Sequence, residues 1–370
     1  MSEAQARAIA FYLPQYHPIP ENDEWWGSGF TEWRNVVKAK PLFKGHYQPH
    51  LPADLGFYDL RLAEARAAQA ELARAARIHG FCYYHYWFNG RRVLQRPFTE
   101  VLESGEPSLP FCLCWANENW TRRWDGLEDE LLLQQTYSAD DDIAHIRALL
   151  PAFHDPRYIR VDGKPMFLVY RSRKLPDARA TAERWRNEAA RSGLPGLFLV
   201  RVDGFLNEEG EADFAFDATV EFQPKWRLLD ACRISRRKWW HRRQLNTDEL
   251  VFRGHNVFSY PRLVEEAMKQ PPPKELSFPC VTPAWDNSAR RQKGAMILVD
   301  STPEIYKGWL EHAVQRARAG QRGRLAAGEK PIVFINAWNE WAEGNHLEPC
   351  QKWGGQYLGA TEEALVGSGD

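Results

Sequence analysis

Eight short apolar runs recur along the chain, and this repetition constrains the fold more than any other feature of the sequence. The runs are Ala8–Leu13, Gly80–Tyr86, Pro110–Trp115, Met166–Tyr170, Leu197–Val202, Ala215–Phe222, Phe278–Trp285 and Pro331–Ala337. Most are continuous rather than alternating, as expected of parallel strands that are buried on both faces. Helical patterns lie between them, so the sequence predicts strands that alternate with helices.

The predicted helices have recognisable beginnings and ends. The first is Asp59–His79, rich in Ala, Leu, Glu and Arg, and Gly80 is expected to end it in the C′ position. The others are Ala139–Phe153, Asp177–Ser192, Tyr260–Lys269 and Thr302–Ala319. The acidic triplet at 140–142 begins one of these helices, where acids favour the helix dipole. The alternative interpretation is the metal-binding Asp-x-Asp of a nucleotide-sugar transferase.

Eight strands alternating with helices predict an α/β fold, a single (β/α)8 TIM barrel over residues 1–370, rather than a doubly wound sheet. The sequence contains no Gly-x-Gly-x-x-Gly and no P-loop that would indicate a nucleotide fold. Two segments exceed a minimal barrel. Pro14–Tyr58 is predicted to be a long loop after strand one, and Pro224–Ser259 a basic insertion after strand six.

Charge and cysteine content exclude several classes of protein. Lys plus Arg is 48 and Asp plus Glu is 49, which argues against a nucleic-acid partner. None of the six cysteines forms a Cys-x-x-Cys pair, and we predict neither a metal nor a cofactor. The N-terminus shows no cationic segment followed by a long apolar one, so a cytoplasmic location is expected.

The aromatic content is unusually high, with 16 Trp, 13 Tyr and 19 Phe residues. Flat rings that carry a polar edge are the surfaces on which sugars stack. This content favours a carbohydrate ligand, although a core that is merely rich in tryptophan is the alternative interpretation.

Polar and aromatic residues follow the predicted strands, where the active site of a barrel is built. The predicted substrate-binding residues are Gln15, Tyr16, His17, Tyr84, His85, Tyr86, Trp87, Trp115, Asn117, Glu118, Trp285, Asp286, Trp338 and Asn339. Amides, acids and rings on one rim are suited to a polyhydroxylated ligand. We therefore predict an oligosaccharide or polysaccharide substrate.

Two acids, Glu340 and Glu343, follow the last strand and are the predicted catalytic pair. They lie three residues apart in a turn flanked by Trp338 and Trp341. Their mutual repulsion and partial burial would raise one pKa, as an acid–base catalyst near neutral pH requires. Glycosidic cleavage uses two carboxyl groups with different pKa values. Two solvated loop acids are the alternative interpretation.

Four motifs together resemble a known family. They are Tyr12-Leu13-Pro14-Gln15-Tyr16-His17, Trp115-Ala116-Asn117-Glu118-Asn119-Trp120, Pro283-Ala284-Trp285-Asp286-Asn287 and Trp338-Asn339-Glu340-Trp341-Ala342-Glu343-Gly344. The ordered set resembles the WbsX-type domain, which is similar to glycoside hydrolase family 99, the endo-α-mannosidases and endo-α-mannanases. The resemblance covers nearly the whole chain. It implies a metal-independent barrel that cleaves an α-linked sugar with retention.

The resemblance also implies roles for the two acids. Glu340 would take the proton of the sugar 2-OH, and that oxygen would displace the leaving group to form an anhydro sugar. Glu343 would protonate the leaving oxygen and then activate water. Ala342 stands where many of these hydrolases have His, so the resemblance implies neither the contacts of that side chain nor the identity of the substrate.

Two other functions remain open at the level of the sequence. WbsX-type proteins are often labelled glycosyltransferases of O-antigen and lipopolysaccharide biosynthesis, which would use an activated sugar. A non-catalytic glycan-binding barrel is the third possibility, although both acids are present.

The basic insertion carries a further prediction. Residues 225–243 combine nine basic residues, counting His241, with Trp226, Trp239 and Trp240. Cations beside tryptophan are typical of segments at a membrane interface, so weak peripheral contact with an anionic membrane is predicted. A solvated helical excursion with its tryptophans packed inward is the alternative.

Overall fold

A computed structural model describes residues 3–122, 127–204, 215–234 and 254–367, with only the backbone for residue 122 and residues 127–130. Eight parallel strands close into a barrel, because the first strand pairs with both the second and the last. The strands are β1 (Arg7–Tyr12), β2 (Ile78–Phe88), β3 (Phe111–Trp115), β4 (Lys164–Val169), β5 (Phe198–Asp203), β6 (Ala218–Glu221), β7 (Ser277–Val281) and β8 (Ile332–Ile335). Each overlaps one predicted run, and the predicted (β/α)8 fold is confirmed.

The helices lie between the strands and within the loops of the barrel. They are α1 (Pro20–Trp26), α2 (Trp33–Lys38), α3 (Ala63–Ala75), α4 (Arg96–Ser104), α5 (Ala139–His154), α6 (Ala178–Arg191), α7 (Trp226–Cys232), α8 (Tyr260–Met268), α9 (Pro303–Gly320) and α10 (Gln356–Val366). The predicted loop Pro14–Tyr58 therefore contains two short helices, α1 and α2. The acidic triplet lies in the first turn of α5, whose N-cap Ser138 accepts a hydrogen bond from the Asp141 amide.

The end of α3 differs from the sequence-based expectation. The helix ends at Ala75, and Arg77, rather than Gly80, adopts the left-handed conformation, with a φ of 60°. Gly80 lies inside β2, where a Cβ atom would approach the carbonyl oxygen of Pro110 to 2.2 Å. The glycine is therefore required by the close approach of two backbones, not by a helix end.

Phe11 of β1 occupies the centre of the barrel interior. Its ring packs against Tyr84 at 5.6 Å, and against Phe222 and Phe334 at 5.4 Å each, between ring centroids. These rings form an aromatic layer across the barrel interior. Tyr84 and Phe222 also line the open space above it, at the C-terminal ends of the strands.

The basic insertion is described only in part. Within it, α7 leaves Trp226 more than a third exposed, but Lys225 is buried with its Nζ 3.5 Å from a Glu221 carboxylate oxygen. Residues 235–253, which include Trp239 and Trp240, lie outside the described residues. None of the helices in the described part of the chain has the length and apolarity needed to cross a membrane.

Candidate active site

A cleft opens at the C-terminal ends of the barrel strands. It encloses about 1010 Å³, including its open mouth, and its lining combines aromatic rings, amides and acids. The cleft-lining side chains that matter below are Gln15, Trp25, Trp26, Tyr84, Tyr86, Glu118, Trp120, Tyr170, Trp285, Arg290, Glu340 and Glu343. Most of them come from the loops after β1, β3, β7 and β8, whereas Tyr84 and Tyr86 belong to β2 itself.

One guanidinium group joins three carboxylates at this cleft. Nη1 of Arg290 donates to a Glu343 oxygen at 2.7 Å, and Nη2 lies 3.0 Å from an oxygen of Glu340. The same Nη2 lies 3.0 Å from Glu32, which also accepts from Nε at 3.1 Å. We call Glu32, Arg290, Glu340 and Glu343 the carboxylate cluster.

The carboxylate cluster carries more acid than its cation can neutralise. Glu32 is completely buried, and the side chains of Glu340 and Glu343 are 9% and 20% exposed. Burial raises the pKa of Glu340 to about 8, and the neighbouring Glu343 and Glu32 act in the same direction against Arg290. Burial also raises the pKa values of Glu343 and Glu32, which Arg290 opposes. The cluster is therefore disposed to retain a proton near neutral pH.

The loop after β8 holds Glu340 and Glu343 in a fixed turn. Asn339–Glu340 pairs with Asn345–His346, and a single 3₁₀ turn, Trp341–Glu343, lies between them. Gly344 ends that turn with a φ of 57°, and a Cβ atom there would approach the Asp286 Cβ to 3.0 Å. This position therefore requires glycine, which lets the loops after β7 and β8 pack in contact.

Two residues connect this turn to the loop after β1. The Asn339 side chain accepts from the Leu13 amide at 2.7 Å and donates to the Leu13 carbonyl at 3.0 Å. The Tyr16 hydroxyl donates to the Asn339 carbonyl and accepts from the Trp341 amide at 3.1 Å. Both predicted substrate-binding residues are buried here and hold in place the turn that carries Glu340 and Glu343.

The alternation of side chains along β2 separates the predicted residues into two groups. Tyr84 and Tyr86 line the cleft. His85 and Trp87 point away from it toward α5, where both rings stack on His145. Trp115 lies in register with His85 and packs against the same His145, so it is directed between barrel and helices. Successive side chains of a strand point to opposite faces. The sequence-based prediction takes no account of this alternation and assigns all four residues 84–87 to the cleft.

Other predicted residues are engaged by the protein itself. The buried Asn117 side chain accepts from the Arg171 amide at 2.7 Å and donates to the Arg171 carbonyl at 2.9 Å. Asp286 accepts from His46 Nε2 at 2.6 Å and from Gln48 Nε2 at 2.8 Å, and it faces away from the cleft. The physical cause is the same in both cases. A buried polar group must find a partner, and here the partner is a neighbouring loop.

Two further predicted residues are also buried outside the cleft lining. Trp338 is completely buried and packs against Phe81 at 5.0 Å between ring centroids. His17 is 1% exposed, and burial lowers its pKa to about 4. The predicted residues that the structure brings together around the cleft are Gln15, Tyr84, Tyr86, Glu118, Trp285, Glu340 and Glu343.

Several residues of this site were not predicted from the sequence. Arg290 and Glu32 complete the carboxylate cluster, and Trp25, Trp26 and Trp120 form part of the cleft wall. The high aromatic content of the segment after β1 was the available signal for the two tryptophans of α1. No local pattern distinguishes Glu32 or Arg290, because they meet only when the loops after β1 and β7 come together.

The described residues include no group of three or more His, Cys, Asp or Glu side chains arranged to hold a metal ion.

Two curated relatives are similar along almost the whole chain. Both are described as "Uncharacterized protein WxcX", from Xanthomonas campestris pv. campestris strains B100 and ATCC 33913. Each is 44% identical over 365 residues, which is 99% of this chain and 50% of the relative. The chain thus spans about half the length of the curated relatives it matches.

Solved structures with the same fold include glycoside hydrolases. The GH99 endo-α-mannosidase from Bacteroides thetaiotaomicron, in complex with bis-tris-propane, superposes with a TM-score of 0.55 at 14% identity, covering 97% of this chain and 96% of that one. A glycoside hydrolase-like protein superposes with a TM-score of 0.56 at 14% identity, covering 99% and 95%. These likenesses establish the barrel fold. The model of one family, described as glycosyltransferase WbsX, matches residues 8–361, and the chain belongs to that family.

Proposed function

We propose that this protein is a retaining glycoside hydrolase or transglycosidase that acts on an α-linked, mannoside-like bacterial oligosaccharide or polysaccharide. The observation that carries the proposal is the carboxylate cluster, in which Arg290 bridges Glu340 and Glu343 at the wall of an aromatic cleft. The family description and the fold of the structural neighbours both indicate a protein that processes glycans.

The two acids are suited to opposite proton transfers. Glu340, the more buried, takes the proton of the sugar 2-OH while that oxygen attacks the anomeric carbon. The bond between the anomeric carbon and the leaving oxygen breaks, and Glu343 gives its proton to the leaving oxygen. Burial raises the pKa of both acids, and the scheme requires that the proton retained by the cluster is on Glu343 and that Glu340 is ionised beside Arg290 when substrate binds. Its 20% exposure places it nearer to solvent than Glu340.

In the second half of the reaction, Glu343 takes a proton from water while Glu340 returns its proton to the 2-oxygen. Water adds at the anomeric carbon and opens the anhydro sugar, so the two displacements together retain the configuration. This scheme differs from the usual retaining reaction, in which an enzyme carboxylate attacks the carbon itself.

The walls of the cleft support a sugar substrate. Tyr84, Tyr86 and Trp285 present rings on which a sugar can stack, and Glu118 adds a partly exposed carboxylate that can accept from hydroxyl groups. A non-catalytic glycan-binding barrel would use the same walls, but it would not require two acids on one guanidinium.

Transfer is the second candidate, and the family description favours it. A sugar hydroxyl in place of water would accept the glycosyl group through the same two acids, which is a transglycosidase reaction. A glycosyltransferase of O-antigen or lipopolysaccharide biosynthesis would instead take its sugar from an activated donor.

The test is incubation with a panel of α-linked mannosides and bacterial oligosaccharides, with and without a second sugar as acceptor, followed by mass analysis of the products. We expect cleavage products, or acceptor conjugates, with the α configuration retained by NMR. A parallel panel of nucleotide sugars and lipid-linked sugars separates the alternatives. Products formed from an activated donor alone would contradict the hydrolase proposal and establish the glycosyltransferase.

A further inference from the structure

A second cavity lies behind the turn that carries Glu340 and Glu343 and is separate from the cleft. It encloses about 790 Å³, including its open mouth. Four parts of the chain build it: the segment 45–50, the loop 283–286, residues 298–301 and the region from 344 to 357. Its lining residues used below are His46, Tyr47, His50, Trp285, His346 and Trp353.

The wall between the two cavities is thin. Trp285 lines both of them, and the Asp286 amide donates to the Glu343 carbonyl at 2.6 Å. Glu343 faces the cleft, whereas the next residue, Gly344, lines the second cavity. The two spaces are thus adjacent but have different polar groups.

The hydrogen bonds of the histidines in the second cavity indicate which ring nitrogen of each donates and which accepts. His46 Nδ1 accepts from the Leu42 amide at 2.9 Å, so its Nε2 carries the hydrogen that it donates to Asp286. His346 Nδ1 faces the Glu348 carbonyl at 2.9 Å and must donate to it. Its Nε2 is then an acceptor, and His50 Nδ1 donates to it at 3.0 Å. The lone pair of His50 is left on Nε2.

This charge distribution disfavours a charged ligand. Burial lowers the pKa of His50 to about 4 and lowers that of His346, which keeps both rings neutral. The remaining ionic side chains of the lining are Asp286, Asp300 and Lys352. Two acids and one amine offer no positive field for an anion. The neutral rings of His50 and His346 offer hydrogen-bonding nitrogens without charge, as an uncharged hydroxylated ligand requires.

Two aromatic faces turn toward one point in this region. The ammonium of Lys352, an exposed residue, lies 4.6 Å from the ring centroid of Tyr47 and 4.7 Å from that of Trp353. Both ring faces are therefore open to the same space. A flexible surface lysine can move aside, and the apolar face of a pyranose can take its place over the rings.

We propose that the second cavity is a saccharide-binding site, distinct from the catalytic cleft, that takes an uncharged pyranose unit stacked on Trp353 and hydrogen-bonded to His50. It rests on the glycan chemistry of the proposed function, but not on Glu340 or Glu343. A protein with such a site can hold one part of a polysaccharide while another part occupies the cleft.

The experiment follows the indole N–H signals of Trp353 and Trp120 by NMR, since one reports on the second cavity and the other on the cleft. The probes are methyl α-D-mannopyranoside and methyl α-D-glucopyranoside at millimolar concentrations. We expect at least one glycoside to shift the Trp353 signal with saturation, and to do so equally in Trp120→Ala. His50→Leu should weaken the affinity measured by this response on the order of tenfold, the loss expected when one hydrogen bond to the sugar is removed.

A matched pair of variants provides the second readout. In calorimetric titrations, Trp353→Ala should lose the second-cavity binding step, whereas Trp353→Phe should keep it because a ring remains. A Trp353 signal that neither glycoside moves, or one that responds only when the cleft is intact, would overturn the proposal. Hydrolysis is measured separately. Loss of turnover in Glu340→Gln with an unchanged Trp353 response would separate the catalytic proposal from this one.

Discussion

Two buried acids of the loop after β8, Glu340 and Glu348, lie in different surroundings, and their comparison shows what suits an acid to proton transfer in this protein. In the carboxylate cluster, three acids share one guanidinium beside an open cleft. Eight residues after Glu340, Glu348 is 2% exposed and accepts from Gln69 at 2.6 Å, Tyr58 at 2.8 Å and Trp341 Nε1 at 2.6 Å. Burial raises both pKa values, to about 8 for Glu340 and about 7 for Glu348.

A raised pKa therefore does not mark a catalytic acid by itself. Glu348 is surrounded by neutral donors from three parts of the chain and does not line the cleft, so its proton has no substrate to reach. Glu340 and Glu343 lie in the cleft wall, and each has another acid close to it. The combination of access and unbalanced charge is what suits the cluster to proton transfer.

The strongest test of this comparison is the same substitution at both sites. Glu340→Gln and Glu343→Gln should each lower turnover by roughly 10²–10⁴, the value of acid–base catalysis, while the protein stays folded. Glu348→Gln is the matched control and should keep turnover per folded molecule within about tenfold of wild type. The measurement is initial rate on a cleaved substrate, with circular dichroism as the check on folding. Near-wild-type activity in either cluster variant would sink the catalytic assignment.

The second-largest effect is expected from removing the Arg290 cation, which should lower the free energy of unfolding. Arg290→Met leaves three buried acids without their partner, and breaking a buried ion pair in this way costs about 3–5 kcal/mol of unfolding free energy. The loss should be greatest above pH 8 and smaller near pH 5, because protonation removes the uncompensated charge. Urea unfolding at the two pH values measures it, and an equal loss at both would contradict the charge argument.

Glu348→Gln should have a smaller and different effect. The new amide group places an N–H donor against the donors of Gln69, Tyr58 or Trp341, and one unsatisfied buried group costs about 1–3 kcal/mol. The expected result is a lower midpoint of thermal unfolding with little change in kcat. A variant as stable as wild type would show that the carboxylate network is dispensable.

The smallest expected effect is a difference in how Glu340 and Glu348 make the free energy of unfolding depend on pH. The ordinary pKa of Glu is 4.5, so between that value and their raised native values both residues bind more protons in the folded state. The free energy of unfolding therefore falls as pH rises, with the fall from Glu348 complete above about 7 and that from Glu340 above about 8. Each Glu→Gln variant should flatten its own part of the curve, which denaturant titrations from about pH 5 to about pH 9 can resolve. A wild-type curve that rises across this range would refute the assignment of raised pKa values.

The strand pattern could be read from the sequence because each barrel strand is a short apolar run. The ends of the runs predict the ends of the strands less accurately. The run Phe278–Trp285 continues past β7, which ends at Val281, because the apolar residues beyond it line cavities instead of pairing. The run Ala215–Phe222 likewise exceeds β6 at both ends.

The carboxylate cluster could be predicted only where one loop carries the information. Glu340 and Glu343 are close in sequence, and their turn lies at the expected end of the barrel. Trp115 and His85 lie near the ends of their strands, which predicts a place in the cleft, but alternation along the strands directs both side chains toward α5. Glu32 and Arg290 are 258 residues apart and depend on closure of the barrel, which no local pattern records.

Closure of the barrel also determines when this site can exist. The first strand, β1, pairs with the last, β8, and the carboxylate cluster draws on the loops that follow β1, β7 and β8. During synthesis, seven strands are complete before β8 appears, and the sheet keeps two open edges until then. Contacts across so long a stretch of chain are slow to form, since loop closure must precede them. The nascent protein therefore lacks the carboxylate cluster until the step that closes the barrel, when Glu32 and Arg290 come together with Glu340 and Glu343.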